Sequence, residues 1–75
     1  MKTVKTMNLF FDKLYATMED IDATVLSELS HKETPKQVHC VIEVSDMNET
    51  VIDREDAMIF NNLNDAIEEM EAWNE

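Results

Sequence analysis

The sequence predicts one small α+β domain over residues 1–75. Its elements are an N-terminal helix, a β-hairpin or short antiparallel meander, and a C-terminal helix. Three observations predict it: a helical apolar stripe near the start, strict alternation in "VHCVIEV", and a second stripe in "NNLNDAIEEMEAWNE".

The first stripe consists of Met7, Phe11, Leu14, Met18, Ile21 and Val25, which step alternately by four and three and so share one helical face. Thr6 or Asn8 suits its cap. "MEDID" is a point at which this helix bends or splits in two. Pro35 ends it, because Thr34 before proline is pushed out of helical geometry. In residues 38–44, Val38, Cys40, Ile42 and Val44 alternate onto one face, with His39 and Glu43 on the other. "SDMNE" follows as a turn, in which Asn48 tolerates positive φ without a glycine. "TVID" is expected to pair back onto the first strand. "AMIF", residues 57–60, reads as a third strand rather than the first turn of a helix. The last helix is capped by Asn61 or Asn62. Leu63, Ala66, Ile67, Met70 and Trp73 form its apolar stripe, with acids opposite. Trp73, Phe60 and Met70 could form a partner-binding anchor, but their spacing favours the core.

The composition narrows the function classes. Hydrophobic residues make up 44%, which suits a folded chain rather than an acidic tail. A domain this small buries only ~60% of its unfolded surface. The uncovered length of the first stripe, Met7 to Leu29, therefore leads to the expectation of a homodimer. Glycine is absent, which excludes glycine-rich phosphate loops and dinucleotide fingerprints. No apolar run approaches the ~20 residues a membrane span needs. With the lone Cys40 and no signal-peptide pattern, the expected compartment is the cytoplasm.

No cofactor or metal is expected. "Asp46-Met47-Asn48-Glu49-Thr50" begins like a calcium loop. However, Val51 stands where glycine is needed and Ala57 where a bidentate glutamate is needed. His39 and Cys40 are adjacent on a strand, point to opposite faces and cannot easily share one zinc. The same geometry opposes a Cys–His nucleophile pair, and nothing else forms a catalytic pattern, so an enzyme is not expected.

The charge is the informative feature. Net charge is −11, which makes nucleic acid and anionic membrane poor direct partners. Eleven acids against Arg54 alone follow residue 42. They are Glu43, Asp46, Glu49, Asp53, Glu55 and Asp56 in the hairpin region, then Asp65, Glu68, Glu69, Glu71 and Glu75 in the last helix. The helical acids do not help the fold. Asp65–Glu69 and Glu71–Glu75 are like-charge pairs four apart, costing ~0.2–0.5 kcal/mol each. Glu71 and Glu75 also oppose the helix dipole by ~0.3–1 kcal/mol. Five acids over roughly 15 Å of helix give one charge per ~3–4 Å, close to the ~3.4 Å between phosphates along one DNA strand. Acids opposite an apolar stripe are by default a solvated face that keeps the chain soluble; the other reading makes the eleven carboxylates the expected contacts to a basic, nucleic-acid-binding protein.

In "EVSDMNETVIDRED" and "DAIEEMEAWNE" the second half of the chain resembles the small acidic inhibitors that phages use against host defence, the DNA-mimic anti-restriction and anti-CRISPR proteins. The likeness is one of charge profile, and those proteins share no single fold. It implies a non-catalytic inhibitor that blocks a nucleic-acid-binding enzyme, in the host cytoplasm if phage-encoded. The alternative is a structural or accessory subunit that pairs with a partner through amphipathic helices.

Overall fold

The computed structural model describes residues 1–21 and 34–75. Five strands form one antiparallel sheet: β1 (Lys2–Phe10), β2 (Lys13–Tyr15), β3 (Lys36–Glu43), β4 (Val51–Asp53) and β5 (Met58–Phe60). Their spatial order is β4-β2-β1-β3-β5. The only α-helix among the described residues is α1 (Leu63–Asn74).

The expected N-terminal helix is therefore overturned: residues 2–10 and 13–15 are strands. Thr3, Val4 and Thr6 favour extended backbone, where β-branched side chains pack on the pleat. β1 is also central and lined on both faces. Its apolar residues show no clean alternation, and with those of β2 they fall by coincidence at helical spacing. Of the stripe, Met7 and Leu14 are buried on one sheet face, and Ile21 is buried beyond β2. Val25 lies outside the described residues. The stripe that motivated a homodimer is covered within the chain at Met7, Leu14 and Ile21, half-covered at Phe11 and exposed at Met18; its continuation to Leu29 lies outside the described residues.

The expected pairing of "TVID" with "VHCVIEV" is overturned as well. β3 pairs with β1 along its whole length, Lys2 opposite Glu43 and Leu9 opposite Lys36, and with β5 on its other side. β4 pairs with β2, Leu14 opposite Ile52. Residues 44–50 therefore cross from one side of the sheet to the other. Lys5 holds that crossing, its ammonium donating to the carbonyls of Met47 (2.7 Å) and Glu49 (2.8 Å). "AMIF" does contain a strand, as expected.

The sheet must coil. β4 and β5 are its two edges, and Asp53 and Met58 lie at levels six residues apart along β1. In a flat sheet they would be ~28 Å apart, from ~4.8 Å per strand and ~3.3 Å per residue. Five residue steps reach ~17 Å at full extension, and residues 54–56 form a compact 3-10 turn. Only a sheet curled on itself brings the edges within reach. The enclosed face holds Met7, Leu14, Val38, Cys40, Ile42 and Ile52, with Leu9, Ala16, Ala57 and Ile59 packed against them. Helix α1 lies against the opposite face, over β1, β3 and β5, and buries Ala66 and Val41.

Two devices stand in for glycine and for a longer strand. The two-residue β1–β2 turn puts Phe11 at φ 57°, a glycine position, in a chain with no glycine. At the other end of β1, the Asn74 side chain accepts from the Lys2 N–H (2.8 Å) and donates to the Lys2 C=O (2.9 Å), so the end of α1 completes the pairing of that residue.

Candidate partner-binding surface

Helix α1 presents its acids as its sequence dictates. Asn62 caps it, its side chain accepting from the Asn64 N–H at 2.8 Å. The 100° step then turns Ala66, Ile67 and Met70 to the sheet. Asp65, Glu68, Glu71 and Glu75 are exposed, and Glu69 is half-buried at the flank. No base lies in the last turn.

The other six acids are set by the crossing and by the β4 edge. Asp46, Glu49, Asp53 and Asp56 line a shallow groove of about 230 Å³ together with Lys13. Asp53 and Glu55 border a second, larger hollow of about 580 Å³ with Asp12 and Arg54. Glu43 is apart from both groups, at the far end of β3 beside the N-terminus. The eleven expected contacts are thus divided between the β4 edge, the outer side of α1, and Glu43.

Two of the eleven are internally neutralised. Glu43 pairs with the Lys2 ammonium (3.0 Å) and the N-terminal amine (3.4 Å), and the Lys2 hydrogen bond, the larger cause, holds its carboxyl below the usual range. Asp53 accepts from Lys13 at 2.7 Å across the β2–β4 ladder, and that hydrogen bond raises the Lys13 ammonium above its ordinary value. The other nine have no ion-pair partner among the described residues. Sequence reasoning had no signal for the Lys13–Asp53 pair, whose members are 40 residues apart, nor for Asp12, which the strained turn delivers to the same edge.

His39 and Cys40 occupy opposite faces. His39 Nδ1 lies 3.0 Å from Thr6 Oγ1 on the helix side. Cys40 is in the enclosed core, where burial pushes its thiol up to about 11. No group of three or more metal-binding side chains is found among the described residues, and no helix there is long and apolar enough to cross a membrane. One aromatic departs from expectation. Trp73 lies on the apolar stripe, yet its residue is 56% exposed because α1 outruns the sheet at Lys2.

No family model, curated protein or solved structure matches this chain.

Proposed function

We propose that this protein is a non-catalytic inhibitor, of the anti-CRISPR or anti-restriction kind, that acts in the cytoplasm by occupying the basic nucleic-acid-binding surface of a partner protein. The observation that carries this reading is the set of nine carboxylates without an internal cation among the described residues, seven of them exposed. They are Asp46, Glu49, Glu55 and Asp56 around the crossing and the β4 edge, and Asp65, Glu68, Glu69, Glu71 and Glu75 on α1. Such carboxylates would replace phosphates against Lys and Arg, steer association and exclude the nucleic acid. Glu43 and Asp53, already paired, serve the fold instead.

The alternative, an accessory subunit that pairs through amphipathic helices, loses the part of its first helix expected over residues 7–15, which are strands and turn. Capture from a host lysate at low salt, with competition by duplex DNA, tests the proposal. Asp65→Lys, Glu68→Lys and Glu71→Lys should each weaken binding to the captured protein. Added salt should do the same, since exposed charges are screened beyond ~10 Å at 0.1 M. Binding indifferent to these swaps, to salt and to DNA would overturn it.

A further inference from the structure

The end of α1 carries a feature that charge alone does not explain. Trp73 is the only tryptophan, and it stands half in solvent on an otherwise acidic surface. It is held in place from the sheet side. The Lys2 ammonium lies 4.9 Å from the ring centroid, and the same ammonium is tied to Glu43 at 3.0 Å. The Lys2 backbone is bridged by Asn74, the residue after the tryptophan. Beyond the ring, Trp73, Ala72 and Glu69 line an open hollow of about 300 Å³. Glu69 lies one helical turn before Trp73, and Ala72 offers only a methyl group between them.

We propose that this hollow is an arginine subsite, in which a guanidinium of the partner stacks on the solvent side of the Trp73 ring and pairs with Glu69. The inference rests on the reading of the acidic surface as a docking face for a basic protein, and it names one short-range anchor within it. A planar guanidinium can lie on an aromatic face and still present its N–H fork to a carboxylate. An ammonium can touch a ring and a carboxylate at once, as Lys2 does with Trp73 and Glu43, but it has neither the flat face to stack nor the two-pronged fork for bidentate pairing. Exposed tryptophans are also prominent among residues that dominate binding energy. The ring is fixed before the partner arrives, so little ordering is required on binding.

The test uses fluorescein-labelled hexa-arginine and hexa-lysine, with binding read by anisotropy at low salt. The native chain should prefer hexa-arginine several-fold. Trp73→Leu should lower hexa-arginine affinity about two- to fivefold, the range for a lost exposed cation–π contact, and should remove most of the preference. Glu69→Gln, which keeps the side chain's size and removes only its charge, should act in the same direction, with circular dichroism confirming the fold. Asp65→Asn should weaken both peptides equally. If the preference survives Trp73→Leu and Glu69→Gln while Asp65→Asn still weakens both peptides, the subsite is wrong and the acidic docking face stands. If neither peptide binds the native chain at low salt, both are wrong.

Discussion

Replacing Asn74 with alanine tests whether the end of α1 braces the first strand. The side chain makes two neutral hydrogen bonds to one residue, at 2.8 and 2.9 Å, between positions 72 apart in sequence. Each is solvent-accessible, so each contributes at the low end of the net range, ~0.5–1 kcal/mol. Alanine returns ~0.5 kcal/mol of helix propensity. The expected net loss is about 1 kcal/mol, against the ~4–11 kcal/mol typical of a domain this size. The thermal midpoint should fall by about 4–8 °C. Urea and thermal unfolding followed by circular dichroism give the magnitude. Amide exchange at Lys2 gives the location, since its N–H is the donor. Asn64→Ala is the control, because there only the backbone N–H is bonded. An unchanged midpoint together with unchanged Lys2 exchange would refute the bridge.

Three further outcomes are expected. The Cys40 thiol, buried and raised to about 11, should react with alkylating reagents at pH 8 at least ~100-fold more slowly than in urea, because two pKa units remove that much thiolate; its stabilising contribution is full below the ordinary thiol value of 9.0 and is lost as pH rises towards about 11, so Cys40→Ala should flatten the alkaline fall in thermal midpoint. Phe10→Ala, at a buried position, should cost ~3–5 kcal/mol, whereas Phe11→Gly should stay within ~1 kcal/mol because relief of the positive φ offsets the lost edge-to-face contact with Phe10; urea titration compares them. Light scattering at low salt should return the mass of a single chain, because the stripe from Met7 to Ile21 is largely covered within it and the net charge of −11 opposes self-association.

Legibility followed locality. Helix α1 was readable because its cap, stripe and acidic side lie within one continuous stretch and repeat at the helical period. β3 was readable because its outward His39 and Glu43 break the apolar run at period two. β1 was not, because both of its faces are covered and its own periodicity is blurred. The coincidence of Met7, Phe11 and Leu14 at helical spacing then outweighed the extended preference of Thr3, Val4 and Thr6. The β2–β4 pairing depends on residues 40 apart, which no local pattern encodes. For the candidate surface, acid identity was legible but neutralisation was not. Lys2 and Lys13 reach Glu43 and Asp53 only once the sheet has formed. Trp73 shows the same limit: the helical period gave its direction, and the end of β1 decided whether anything covered it.

The strained β1–β2 turn and the coiled sheet together bear on how fast the chain finds its structure. Among the described residues the only short-range strand pairing is this hairpin, and its turn asks a phenylalanine to sit where glycine is comfortable. The natural local seed is therefore weak. Every other pairing onto β1 or β2 closes a loop of more than twenty-five residues, with entropy lost before contacts are gained. Folding should then fall in the millisecond-to-second regime of non-local β topologies rather than the microsecond regime of helical bundles. Phe11→Gly, near-neutral at equilibrium, should speed refolding if the hairpin is formed in the transition state. A chain that condenses slowly leaves Met7, Leu14 and Val38 exposed for that interval, and mutual repulsion between copies, at −11 each, would keep them apart until the core has closed.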